Sequence, residues 1–340
     1  MKNNYFLDRN KDNIKHIAKF LESLPNYCLE FIIGMENYTS TLTRLNYSMD
    51  LRIFFDYLSK YKFGKNAKSI ALSDLDTLTA ADIESYLSYL SYYEFEGKTY
   101  HNGERGKARK LASVRSFFKF FYNKDKLSSN VVSKIATPKI HQKEIVRLEI
   151  DEVAKIINEA ESPTFASKTQ NSYNKNTSTR DVAILSLFLG TGIRVSELVG
   201  LNIEDVDFST NAFKITRKGG NQVVLYFSEE VKNALEKYLI ERKEIESDSN
   251  AFFLSLQKKR ITTRAVQNLV KKYSLNVNPL KKISPHKLRS TYGTNLYRET
   301  KDIYVVADVL GHKDVNTTKR HYAAMSEDIR RGVANKIKLR

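Results

Sequence analysis

Hydrophobic residues recur at helical spacing through roughly the first 135 positions. Thr43–Tyr57 sets Leu45, Leu51, Phe54, Phe55 and the following Leu58 near one helical face. Ser113–Asn123 repeats the device with Val114, Phe117, Phe118 and Phe121 at i, i+3, i+4 and i+7. Between them, Thr79–Tyr93 opens on a helix-capping residue type and carries Ile83, Tyr86, Leu87 and Leu90. This half reads as a small all-helical bundle with the aromatic stripes as its core.

Periodicity lapses over Ala136–Ile145 (ATPKIHQKEI), a polar, Pro-containing stretch that reads as an interdomain linker. The pattern therefore predicts a helical domain over 1–138, a linker over 139–147 and a second domain over 148–340. In the second domain Glu149–Ala160 is helical, and the polar tract Ser167–Thr179 (SKTQNSYNKNTST) reads as an exposed, mobile loop. Asp181–Gly200 combines a buried apolar helix, a Gly-Thr-Gly turn and a second helical stretch opening at Arg194. Ala212–Thr216 and Val223–Phe227 read as two strands joined by a turn, followed by an amphipathic helix over Val231–Arg242. Helices continue to the C-terminus, so the expected fold class is mainly α with one small antiparallel sheet.

Composition narrows the function classes. A length of 340 residues suggests about two domains. The 41% hydrophobic and 28% charged shares exclude wholesale disorder. The most apolar stretch, Val182–Leu189, is core-sized, which excludes a membrane-spanning helix. The polar N-terminus has no apolar signal segment, and the single cysteine, Cys28, can form neither an internal disulfide nor a zinc cluster. A cytoplasmic protein is expected.

Charge points to the partner. Fifty-six Lys and Arg against thirty-nine Asp and Glu leave +17. Residues 281–340 hold fourteen of the basic residues against six acidic ones, a local +8. Such a surplus attracts polyanions and gives affinity for nucleic acid.

Three short clusters set polar residues beside apolar packing: Thr191-Gly-Ile-Arg194-Val-Ser-Glu197, Ser284-Pro-His286-Lys-Leu-Arg289, and Leu310-Gly-His312 with Tyr322 ten residues after the histidine. Taken singly, each reads as ordinary structure: an arginine in a surface ion pair, a histidine near a helix start, one tyrosine among twenty. In this order, and with Lys218 in the hairpin TRKGG, they resemble the tyrosine recombinases, the phage-integrase and Xer superfamily, over nearly the whole chain. TRLNYSMDLRIFFDYL and RKLASVRSFFKFFYN look like the first and last main helices of that family's core-binding domain. The TRKGG hairpin and the polar loop before Arg194 look most like the single-protein Xer recombinases of Firmicutes. Two departures stand out. Tyr322 is followed by Ala323-Ala324 where many Xer proteins have Thr-His, and the His312–Tyr322 interval is one residue longer than is usual for them.

The resemblance implies a two-domain, C-shaped DNA clamp and site-specific strand exchange through a 3′-phosphotyrosine intermediate and a Holliday junction. It assigns Tyr322 as nucleophile, Arg194 and Arg289 to the non-bridging phosphate oxygens, and Lys218 as proton donor to the leaving 5′-oxygen. His286 becomes an acid or base toward the tyrosine hydroxyl, His312 a hydrogen-bond donor to the transition state, and Glu197 a support that orients the site. The chemistry suits these types. A pentacoordinate phosphorus gathers negative charge on oxygens that planar guanidinium groups bind bidentately. Covalent storage of the phosphodiester removes any need for ATP, and the arginines stand where a divalent metal would otherwise act, so no cofactor or metal is expected.

DNA contacts are expected from Arg44 and Tyr47 on the first main helix, and from Lys107, Arg109, Lys110 and Arg115 around the later one. Ile261–Tyr273 resembles the family's major-groove helix, where Arg264 and Gln267 could read base edges. The implied partners are double-stranded DNA with an inverted-repeat site, a homo-tetramer assembled on two such sites, and a DNA translocase as activator. Chromosome-dimer resolution is the leading role and integration or excision of a mobile element the alternative. A type IB topoisomerase and a non-catalytic DNA-binding regulator are the more distant rivals.

Overall fold

The computed structural model describes residues 5–141, 148–162, 174, 176–217, 220–312 and 314–315. The chain divides into two compact units, Lys2–Lys143 and Glu144–Arg340.

The first unit is built from α1 (Tyr5–Leu21), α2 (Tyr27–Gly34), α3 (Thr41–Leu58), the short α4 (Leu72–Asp76), α5 (Ala80–Tyr89) and α6 (Glu104–Tyr122). Ser40 caps α3 by accepting from the Thr43 amide, and Thr79 and Asp82 cap α5 reciprocally. The aromatic stripes meet as anticipated. Phe54, Phe55, Tyr86, Phe117, Phe118 and Phe121 are buried together, with edge-on ring contacts such as Phe55–Phe117 at 5.8 Å.

The unit is not all-helical. Tyr92–Phe95 (β1) pairs antiparallel with Lys98–His101 (β2) across a tight turn in which Glu96 and Gly97 both take positive φ, 50° and 70°. The expected helix over Thr79–Tyr93 therefore stops at Tyr89. Tyr93 and Phe95 face inward while Tyr92 and Glu94 face solvent, the alternation of a strand.

A buried carboxylate ties α3 to α6. Asp50 is fully buried and accepts from both Nη atoms of Arg109 (2.5 and 2.7 Å) and from Ser113 Oγ (2.6 Å). The Lys110 ammonium lies 3.7 Å away, on a residue only 5% exposed. Asp50→Ala strands this buried cation, so a loss of about 3–5 kcal/mol is expected. Chemical unfolding of the purified chain measures it; a loss under about 1 kcal/mol would show that the cluster contributes little.

The second unit contains α7 (Ile150–Glu161), α8 (Ser178–Thr191), α9 (Val195–Gly200), α10 (Glu229–Glu244), α11 (Thr263–Val277), α12 (Pro285–Thr300) and α13 (Ile303–Leu310). A three-stranded sheet runs β3 (Val206–Asp207), β4 (Ala212–Thr216), β5 (Gln222–Tyr226), with Ala212 opposite Tyr226 and Thr216 opposite Gln222. The two-residue β3 adds to the expected hairpin. Helix α8 is apolar on almost every face and is packed by α7, α10 and α12, as a central helix must be.

The polar tract before α8 differs from its expected exposed character where it is described. Asn174 and Thr177 are buried, because Asp181 needs partners there. Lys272 Nζ bridges Asn174 Oδ1 (2.8 Å) and Asp181 Oδ2 (3.2 Å), and Tyr273 donates to the same carboxylate. Among the described residues no helix is long and apolar enough to cross a membrane.

Candidate active site

The turn that ends α13 is the focus. Gly311 adopts φ 60°, its amide donates to Asp308 O (2.8 Å), and the His312 amide reaches back to Ala307 O (2.9 Å). This helix-ending motif leaves the last carbonyls of α13 pointing outward, where the helix dipole concentrates partial negative charge. Three arginines from distant segments take them in succession. Arg217 Nη2 donates to Val309 O (2.8 Å), Arg289 Nη2 to Leu310 O, and Arg194 Nη2 to Gly311 O (3.0 Å).

Each arginine is held by its own local device. Arg194 occupies the N-cap of α9, and Glu197, one turn on, grips it twice. Oε2 accepts from the Arg194 amide (2.9 Å) and Oε1 from Nη1 (2.8 Å). Glu197 thus satisfies the N-cap amide of α9 as well as forming an ion pair with Arg194, and it is 5% exposed. Arg289 sits one turn into α12, 5% exposed, and its Nη1 donates to Gly192 O. Gly192 itself has φ 63°, and a β-carbon there would run into the Tyr292 ring and Leu310, so the turn after α8 admits no side chain. Burial raises the Tyr292 phenol above its ordinary range.

Arg217 was not among the residues the sequence singled out. It closes β4: its amide donates to Asn221 O (2.8 Å) and its carbonyl accepts from Gly220 (3.1 Å). Burial lowers its guanidinium pKa, with Glu197 pulling the other way and Arg194 adding to the depression. Sequence adjacency to Lys218 was the available signal, but only folding brings Arg217 to the end of α13.

Of the expected catalytic set, Arg194, Glu197, Arg289 and the half-buried His312 belong to this cluster or its adjoining turn. His286 is exposed on the first turn of α12, three residues before Arg289. Lys218 and Tyr322 lie outside the described residues. Chemically, the cluster is a preorganised set of convergent N–H donors, suited to an anion whose charge grows during reaction.

The expected DNA contacts divide. Arg264 and Gln267 are exposed on one face of α11, opposite the buried Val266, Leu269 and Val270, and the exposed Lys271 extends that face. Lys107 donates to Ser91 (2.6 Å), and the half-exposed Arg109 carries the bidentate bond to Asp50. Tyr47 stacks parallel to Phe31 at 6.3 Å. Arg115 donates to Thr137 (2.7 Å) and to Ile135 O. Two of these side chains are turned inward: Lys110 is buried against Asp50, and Arg44 is 8% exposed with Nη1 on Glu36 (2.9 Å).

Residues 146–328 match the phage integrase family. The tyrosine recombinase XerC of Caldanaerobacter subterraneus subsp. tengcongensis is 33% identical over 92% of this chain and 88% of its own length. The tyrosine recombinase XerS of Streptococcus gordonii is 28% identical over 95% of this chain and 98% of its own. Among solved structures, the XerH site-specific recombinase bound to palindromic difH substrate, in its post-cleavage complex, superposes with a TM-score of 0.64 at 18% identity, covering 96% of each chain. The Tn1549 transposon integrase in complex with circular intermediate DNA gives 0.65 at 17% identity, over 92% of this chain and all of that one. Fold and sequence together define a site-specific DNA recombinase of the tyrosine class. The chain belongs to the phage integrase family, and these two curated relatives, which match most of its length, bear Xer names.

Proposed function

We propose that this recombinase acts as an Xer enzyme, exchanging strands at an inverted-repeat DNA site as a homo-tetramer on two such sites, in the cytoplasm, to resolve chromosome dimers before cell division. The observation that carries the chemical reading is the convergence of Arg194 and Arg289 on adjacent carbonyls, Gly311 and Leu310, immediately before His312. With DNA docked, the non-bridging oxygens of one phosphodiester replace those carbonyls as acceptors. Tyr322 Oη attacks phosphorus in line; the P–O5′ bond breaks as the Oη–P bond forms. The phenolic proton passes to His286, and Lys218 gives a proton to the departing 5′-oxygen. His312 donates to the phosphoryl oxygens, and Glu197 keeps Arg194 in register. Reversal by another 5′-hydroxyl reseals the strand.

In this scheme residues 1–138 and 148–340 are the two jaws, joined by 139–147, with Lys107, Arg109 and Arg115 near one face of the duplex and Arg264 and Gln267 at the other. A DNA translocase is the activator by analogy with Xer proteins. The ten-residue interval from His312 to Tyr322 favours a second reading, excision and integration of a mobile element, since transposon integrases share it. Sequencing the DNA trapped on the protein separates the two: a single chromosomal site supports the first, paired element ends the second.

The acid assignment has its own test. Lys218→Ala is expected to slow cleavage of ordinary DNA by about 10²–10⁴-fold, the usual worth of a positioned proton donor. Replacing the leaving 5′-oxygen with sulfur, a leaving group that needs no proton, is expected to restore most of the rate. A variant equally slow on both substrates would remove Lys218 from this role.

A further inference from the structure

The proposed mechanism gives Arg217 nothing to do, yet this residue joins the β4–β5 hairpin to the end of α13. Its backbone closes the hairpin, through Asn221 on one side and Gly220 on the other. Its side chain crosses to Val309 O at 2.8 Å. The contact is moulded on both sides: a β-carbon at position 311 would fall inside the Arg217 guanidinium, so this seat for the arginine needs a glycine there, which the φ of 60° favours as well. The Nε atom is buried with no hydrogen-bond partner among the described residues, and burial works against the charge. A half-buried guanidinium whose burial disfavours its charge, offset only in part by Glu197 and Asp308 and worsened by Arg194, is a poor choice for simple hairpin stability. An apolar side chain would pack there without those costs.

We infer that Arg217 is a positioning residue for strand cleavage: it braces the hairpin that carries Lys218 against the Val309–Gly311 turn, and so fixes the proton donor relative to the arginine pair. The inference rests on the reading of Lys218 as the leaving-group acid. Arg217 touches neither phosphate nor leaving oxygen in this scheme. Its planar group suits the task because one end can hold Val309 O while its face covers Gly311, a geometry that an ammonium cannot reproduce.

The test uses the full chain and a nicked suicide duplex. That duplex carries the site recovered by sequencing genomic DNA trapped covalently on the wild-type protein. Each of wild type, Arg217→Met, Arg217→Lys and Lys218→Ala is assayed in single turnover on the ordinary duplex and on its 5′-bridging sulfur counterpart. Arg217→Met keeps the length and apolar bulk of the side chain. It is expected to cleave ordinary DNA about 10–100-fold more slowly while binding it within about threefold of wild type, and to regain most of its rate on the sulfur substrate. Arg217→Lys is expected to fall between wild type and Arg217→Met. In the double variant Arg217→Met with Lys218→Ala, cleavage is expected to be no slower than with Lys218→Ala alone.

Failures are distinguishable. If Lys218→Ala is rescued by sulfur but Arg217→Met is equally slow on both substrates, Arg217 acts elsewhere and this proposal falls alone. It falls in the same way if Arg217→Met cleaves at the wild-type rate, or if the two losses add. If Lys218→Ala itself is not rescued, the acid assignment falls and takes the proposal with it. Should Arg217→Met fail to fold, Arg217→Lys carries the decision by the same comparison of substrates.

Discussion

Tyr322→Phe is expected to abolish covalent protein–DNA adducts on a suicide duplex, by at least about 10⁴-fold, while DNA binding stays within about threefold of wild type. The substitution removes one oxygen and leaves the ring. Other groups hold the arginine cluster: Arg194 is held by Glu197 and Gly311 O, and Arg289 donates to Gly192 O and Leu310 O. Affinity comes mainly from the +17 chain meeting phosphates, which a phenol-to-phenyl change does not alter. The measurement is a denaturing gel of protein with labelled DNA, beside a binding titration at fixed salt. Adducts persisting in Tyr322→Phe would transfer the nucleophile role to another side chain and dissolve the reading of the 310–322 segment.

What the sequence made legible follows from where the information is local. The stripes around Phe54, Phe55, Phe117, Phe118 and Phe121 announce both helix and core, since burial and periodicity are then one signal. Arg194-x-x-Glu197 is readable too, because a carboxylate that caps its own helix and pairs with the preceding arginine does so within four residues. The β1–β2 hairpin escaped because Tyr92, Tyr93 and Phe95 continue the aromatic run of α5, and the turn depends on Glu96 accepting a positive φ. Asn174 and Thr177 look like loop residues until Lys272 reaches the first and Asp181 the second, with Tyr273 joining the same carboxylate from ninety-two positions away. Lys110 and Arg44 look like solvated helix charges, and only Asp50 and Glu36 turn them inward. Arg217 belongs with these: its task is defined by Val309 and Gly311, ninety-two or more residues downstream. Residue type announces chemistry, but which face of an element is buried is decided by partners the local pattern does not contain.

Arg289→Lys separates charge from geometry at the same cluster. Arg289 is 5% exposed, and its two Nη atoms span Gly192 O and Leu310 O, joining the turn after α8 to the end of α13. A lysine keeps the positive charge but offers a single ammonium, which can satisfy one carbonyl and leaves the other buried and unpaired. Two losses follow. Leaving one buried acceptor unsatisfied costs about 1–3 kcal/mol of stability, visible as a lower unfolding midpoint. In the transition state the ammonium cannot match two phosphoryl oxygens at once, and removing one preorganised donor from such a site costs about 10²–10³-fold in rate. The expected result is therefore a folded, DNA-binding protein whose single-turnover cleavage falls by that factor. Sulfur at the leaving position should not rescue it, since the deficit concerns oxygens that stay on phosphorus. That lack of rescue, beside the rescue of Lys218→Ala, would divide the work of the site between charge on the phosphoryl group and a proton for the leaving strand. Near-wild-type cleavage by Arg289→Lys would mean that charge alone suffices and that the planar fork between Gly192 and Leu310 serves only the fold.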